Sequence, residues 1–430
     1  MPAKSAALWM LEQEARALLT RLARVKPFAL IMPMVSAATV SPAAQTAIEY
    51  HLAGKRRELR ALMTDYVRWL HSPCGRRTPP AEAQRRFVFL RMRFNAVLSQ
   101  FDIFSDVLTQ RSEHEHGVWL SGLDAVAADA LALPGGYYNA PPVICYLDRG
   151  HGASIRRART RLPGGDENPV AIVRVPRERM VGSGIASSLI HEVGHQGSAL
   201  LGLVESLRPV LRGMRQNGGV AGVAWRFFER WLPEILADFW SVARVGVAST
   251  TGLMWVVSLP RAFVFRIGMD DPHPFPWIRV KLSCAMGKAL YPHRQWDALA
   301  NLWESFYPTA GLDEERQRLI AVLESTLPGF IALLVNHRPG SLKGKTLMEV
   351  MPVKSRQPDR LAAYYQSWRA SPSRMHNAPP SLVFAVIGQA KVEGRLRPED
   401  EGRLLANLLT HWALNSTLNT TALCATQLSS

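Results

Sequence analysis

Ser187-Ser188-Leu189-Ile190-His191-Glu192-Val193-Gly194-His195-Gln196 is the stretch on which the reading of this chain turns. On an α-helix, residues four apart lie on one face, about one turn from each other. His191 and His195 then aim imidazole nitrogens at a single point, where an ion can sit. Zinc suits such a pair because it takes nitrogen ligands in a tetrahedron and imposes no stricter geometry of its own. Glu192, beside the first histidine, is placed to take a proton from a metal-bound water. With only 12 histidines in 430 residues, a chance H-E-x-x-H is rare. Ser187 and Ser188 read as a helix start, and the helical pattern continues through Ala199-Leu200-Leu201.

Two histidines do not complete a zinc site. A third histidine six residues beyond His195 is excluded, since Ser198 and Leu201 hold the positions where that pattern needs Gly and His. The alternative is a glutamate on a later helix with an aspartate one turn on. Trp231-Leu232-Pro233-Glu234-Ile235-Leu236-Ala237-Asp238-Phe239-Trp240 supplies both, with Pro233 read as first-turn proline. Two carboxylates one turn apart on an apolar helix are costly unless they face an ion or a hydrogen-bonding partner. Glu234 is the expected ligand, and Asp238 the group that holds a ligand imidazole from behind. Glu205, just past the motif helix, is the rival, but it gives Asp238 nothing to do.

H-E-V-G-H at 191–195 together with E-I-L-A-D at 234–238 resembles the gluzincin group of zinc metallopeptidases, over roughly residues 130–300. The resemblance implies His191, His195 and Glu234 as zinc ligands and Glu192 as general base. It also implies a His or Tyr that stabilises the oxyanion. His273, in Asp270-Asp271-Pro272-His273-Pro274-Phe275-Pro276-Trp277-Ile278-Arg279, is the first choice, with Asp271 orienting it; Tyr291 is the backup. The H-P-x-x-x-x-R arrangement is similar to a segment downstream of the motif in several H-E-x-x-H families. Arg279 would tie this loop to Asp238 or meet a substrate carboxylate.

Outward from the motif, 143–147 and 171–175 read as short strands, separated by a basic hairpin-like segment. A strand beside the metal can pair with an extended peptide. Before them, 1–24, 43–69 and 81–108 read as amphipathic helices with Arg-rich outer faces, and 27–48 as a buried helix-turn-helix element. His114-Glu115-His116 reads as a solvated H-x-H. Beyond Pro292, 296–306 and 314–327 are helical, with Pro328-Gly329 as a stop. The 338–345 turn lacks phosphate-loop spacing. An irregular helix at 352–370, another at 401–414 and a mobile polar tail at 415–430 complete the chain.

The expected fold is a mainly helical α+β protein. A zincin-like core with a small sheet (111–300) is flanked by an N-terminal helical region (1–110) and a C-terminal one (301–430). The chain is 47% hydrophobic and carries 51 basic against 35 acidic residues, a net +16. That charge admits nucleic acid or anionic surfaces, but no helix-turn-helix DNA reader or aromatic-basic pattern accompanies it. Cys74, Cys145, Cys284 and Cys424 form neither a knuckle nor a disulfide framework, which points to a reducing cytosol. No transmembrane segment or signal peptide is expected; Pro33 and Pro42 argue against a span at 27–48. The sequence thus points to a zinc metallopeptidase acting on a protein or peptide. A zinc-loaded binding module of little activity is the alternative, and a nucleic-acid-associated regulator the more remote one. Oligomeric state is not legible.

Overall fold

The computed structural model describes residues 3–149, 152–177 and 182–428. Four helices open the chain: α1 (Ala3–Arg24), α2 (Pro42–His71), α3 (Pro73–Arg77) and α4 (Pro80–Thr109). In α1, Leu11, Ala15, Leu18 and Leu22 recur at helical spacing and are all buried. The start of α2 is set by Ser41, whose side chain accepts from the Ala44 amide, followed by Pro42 at the first helical position. Between α1 and α2 the chain makes two 3-10 turns, at Phe28–Leu30 and Ser36–Ala38, rather than the expected helix-turn-helix. Prolines at 27 and 33 and the exposure of Leu30, Ile31 and Val35 leave no apolar stripe for a helix to bury.

After α5 (His114–Leu131) come β1 (Val143–Asp148), β2 (Ser154–Arg156) and β3 (Ala171–Pro176), in the order β1-β3-β2. β1 and β3 are parallel, with Val143 opposite Ala171 and Leu147 opposite Val175; β2 runs antiparallel to β3. The sheet is a partition. Ile144 and Ile172 face the core of α1, α2 and α4, while Cys145, Leu147, Val173 and Val175 face a second, larger core. Because both faces are covered, β1 and β3 read as continuous apolar runs. The outer edge of β1 is closed by side chains. Gln110 bonds both the amide (2.7 Å) and the carbonyl (2.6 Å) of Leu147. Asp124 accepts from the Cys145 amide at 2.7 Å, and Arg111 donates to its carbonyl at 2.7 Å.

The larger core is built by α6 (Ser183–Leu200), α7 (Leu203–Asn217), α8 (Gly222–Val245), α9 (Val247–Val256), α10 (Arg261–Val264), α11 (Pro276–Leu290) and α12 (Gln295–Phe306). It continues through α13 (Glu314–Asn336), α14 (Leu347–Val350), α15 (Pro358–Ala370), α16 (Ser373–His376), α17 (Pro380–Val392) and α18 (Pro398–Leu428). The C-terminal helices share this core: Phe330, Phe384, Leu405 and Trp412 belong to the cluster that holds Leu189 and Trp240. Mainly helical α+β is the observed class.

Several boundaries move. α6 begins at Ser183 behind Gly182, so Ser187 and Ser188 lie inside it. Pro233 sits within α8 and Pro328 within α13, where each was expected to mark a helix boundary. A proline removes one intrahelical bond, but burial on both sides of each proline holds the chain helical: Trp231, Leu232 and Ile235 around the first, Leu327 and Phe330 around the second. The expected mobile tail continues α18 through Leu428. α13 is long and apolar enough to cross a membrane by length and composition. Seven of its apolar side chains are buried here, and Phe330 stacks on Phe228 of α8 at 4.4 Å between ring centroids.

α6 and α8 pack tightly against each other, and two glycines allow it. A Cβ at Gly194 would lie 2.8 Å from Trp240 and 2.9 Å from Ala237, and one at Gly197 would lie 2.6 Å from the Trp240 ring. Both glycines stand beside the histidines, and both contacts lie on α8 beside Asp238. The histidine pair and the carboxylate pair therefore face each other because nothing separates their backbones.

Candidate metal centre

α6 presents His191, Glu192 and His195. α8 presents Glu234 and Asp238. His191 Nε2 lies 3.2 Å from Glu234 Oε2, and His195 Nε2 lies 3.5 Å from Glu234 Oε1. The two imidazoles are 4.8 Å apart and nearly perpendicular. Ligand atoms from His191, His195 and Glu234 all fall within 4.8 Å of one another, and they form the one such group among the described residues. Glu234 Oε2 is buried yet accepts no hydrogen bond. An orphaned carboxylate oxygen beside two imidazole nitrogens is what a bound cation would satisfy, and a His-His-Glu donor set fits zinc.

Behind this group is a second layer. Asp238 Oδ1 is 2.7 Å from His191 Nδ1, which holds the ring with Nε2 turned toward the cluster. Arg279, on α11, clamps the same carboxylate with Nε at 2.7 Å and Nη2 at 2.9 Å. Of its two expected roles, the structure places Arg279 in the first. His195 has no corresponding partner at Nδ1 among the described residues, so the two histidines are held unequally.

The charges follow from this packing. Burial alone would lower His191, but Asp238 and Glu234 outweigh it and lift its pKa to about 9. Burial would raise Asp238, but Arg279 and His191 hold it down at about 2. Glu234 is likewise driven below the usual carboxylate range, its burial outweighed by His191 and His195. Glu192 goes the other way: burial keeps its carboxyl above the ordinary value despite the neighbouring imidazoles. A carboxylate held above its ordinary value is a stronger proton acceptor than an exposed one.

His273 stands on the segment leading into α11, half-exposed, with Nε2 3.4 Å from Glu234 Oε2. Asp271 Oδ1 holds it at both the backbone amide and Nδ1, each at 2.9 Å. The two residues proposed on that loop are therefore at the cluster's rim. Tyr291 is not. It is fully buried, its hydroxyl donates to the Ala243 carbonyl at 2.8 Å, and it belongs to the core. Ala243 is nine residues beyond Glu234 on α8, about 13 Å along the helix, which rules Tyr291 out as the backup oxyanion donor. Glu205 is exposed in the first turn of α7 and takes no part in the group. His116 lies 3.9 Å from Glu113 and edge-on to Trp119; the side chain of His114 is outside the described residues.

A cleft of about 160 Å³ adjoins His191, Glu192, His273 and Arg279. Its far walls are Leu253 and Val256 of α9 and Gly152-Ala153 just before β2, none of them singled out by the sequence. They carry no chemical signature; the packing of α9 and of β2 on α6 brings them there. No family model, no curated protein and no solved structure matches this chain.

Proposed function

We propose that this protein is a zinc-dependent metallopeptidase of the gluzincin type, acting on a protein or peptide substrate. The observation that carries the reading is the convergence of His191, His195 and Glu234 on one point, with Glu192 adjacent and Asp238 backed by Arg279. A structural ion would need only the ligands. A proton acceptor that burial holds above its ordinary pKa, standing next to the ligands in an open cleft, supports hydrolysis over a purely structural role.

His191, His195 and Glu234 would hold the metal. When bound, zinc supplies Lewis acidity and brings the pKa of a coordinated water to about 7. Glu192 accepts a proton from the attacking water and hands it to the leaving amine. Asp238 keeps His191 in the ligating tautomer, and Arg279 keeps Asp238 ionised. His273, positioned by Asp271, donates to the oxygen that becomes negative as the carbonyl is attacked.

The test is metal content by mass spectrometry, paired with chelator-sensitive cleavage of casein. About one zinc per chain in the wild type and a marked loss in Glu234→Ala are expected. Zinc retained by Glu234→Ala would remove Glu234 from the ligand set and the gluzincin reading with it. Full zinc without cleavage would favour the silent binding module.

A further inference from the structure

Among the described residues, one edge of the sheet is open. Gln110, Arg111 and Asp124 occupy the outer edge of β1, whereas no strand pairs with the outer edge of β2 among the described residues. β2 also links two cavities. Gly152 and Ala153, immediately before it, border the metal cleft; Ser154 to Arg157 border a cavity of about 760 Å³ between α4 and the sheet. That volume lies within the range of ligand pockets, about 300–1,000 Å³.

Pairing fixes which way each side chain points. Ser154 is opposite Arg174 and Arg156 opposite Ile172, while Ile155 is opposite Val173. Directly opposed residues share a face. Ile172 belongs to the core on the α4 side and Val173 to the core on the α6 side. Ser154 and Arg156 therefore face the large cavity, and a strand added outside β2 would send every second side chain the same way.

The strand side of the cavity is cationic. Neither Arg156 nor Arg157 has a side-chain partner among the described residues, and both are exposed. The carboxylates at the cavity do not cancel them. Asp148 is already paired with Arg174 at 3.3 Å, and Asp106, on α4, makes no ion pair with Arg156 or Arg157.

Resting on the peptidase reading above, we propose that an extended substrate lies along the outer edge of β2 and places an acidic side chain beside Arg156 and Arg157. From Ala153 at the metal cleft to Arg156 is three residues, about 10 Å of extended chain. The favoured Asp or Glu accordingly stands about three positions from the scissile bond.

The experiment uses the zinc-reconstituted full chain and quenched-fluorescence decapeptides of otherwise neutral sequence. A single Glu or Lys is stepped through every position; binding of the same peptides is followed by fluorescence anisotropy. Glu is expected to exceed Lys in kcat/KM on the order of tenfold at one position about three from the cleavage point, mainly through KM. Arg156→Glu, an exposed substitution, should invert the preference from Glu to Lys at that position. Cleavage with no charge preference, or a preference that Arg156→Glu leaves intact, overturns the acidic subsite and leaves the peptidase reading standing. Arg156-dependent binding without cleavage of any peptide overturns the peptidase reading and keeps the strand site. Neither binding nor cleavage overturns both.

Discussion

Among the described residues two arginine–aspartate pairs are buried, and they do different things. Arg111 and Asp124 join the turn after α4 to α5, with Nη1 and Oδ2 at 3.0 Å and almost no side-chain exposure. Arg279 and Asp238 join α11 to α8, with side-chain exposures of 13% and 9%. By pairing and burial alone they look alike. The distinction is where the remaining hydrogen bonds go. The first pair spends them on the backbone of Cys145, a partner that cannot change. The second spends one on His191, an imidazole whose other nitrogen faces an orphaned carboxylate oxygen. A buried ion pair that ends in backbone fixes structure, whereas one that ends in an imidazole sets the state of that side chain.

The comparison can be broken at several points. The largest effect belongs to the centre the second pair serves. Glu192→Gln should cut kcat on a cleavable peptide by about 10²–10⁴-fold with zinc content unchanged; full activity would show that Glu192 takes no proton. Next comes the structural pair. Arg111→Met leaves Asp124 buried without its cation, and the urea midpoint should fall by the equivalent of about 3–5 kcal/mol. Metal binding should survive wherever the chain remains folded. If metal were lost before fold, the division between the pairs would be wrong.

Asp238→Asn is the matching change at the centre. It removes the charge that orients His191, so the zinc dissociation constant should rise about 10–100-fold. An unchanged constant would mean that His191 needs no second partner. The smallest effect is at an exposed pair. Lys55 lies 2.6 Å from Asp166 at the rim of the N-terminal helices. Burial would raise Asp166, but Lys55 and Gln100 outweigh it and lower its pKa. A carboxylate with a depressed folded pKa contributes stability above its unfolded value of about 4, and that contribution is lost as pH falls through the folded value. Because Asp166 is about a quarter exposed, the effect should stay below about 1 kcal/mol. Comparing urea midpoints of wild type and Asp166→Asn at pH 7 and pH 3 measures it; a gap growing toward acid would reverse the sign.

Local spacing explains what the sequence could convey. His191 with His195 and Glu234 with Asp238 are each one turn apart, so helical geometry alone put each pair on one face. The tie between Arg279 and Asp238 could be named as an option because a helix carrying an acid needs a counterpart. Tyr291 shows the limit: its place after α11 says nothing about which way the ring turns, and packing turned it toward Ala243. Pro233 and Pro328 are local stop signals overruled by burial on either side. β2, three residues long, is too short to leave a period in the sequence. Arg111 and Asp124 are 13 residues apart, and their shared partner Cys145 lies 34 from Arg111, so no window along the chain contains the network.

The side-chain seal on β1 bears on colloidal behaviour as well as on stability. An unpaired strand edge is a template on which another chain can polymerise. Among the described residues one edge is open, short and flanked by Arg156 and Arg157, and the longer, apolar one is closed with three polar side chains. Gln110, Arg111 and Asp124 thus act as a quality-control device: they keep a sticky strand from recruiting its own copies, so the edge that remains exposed is the charged one.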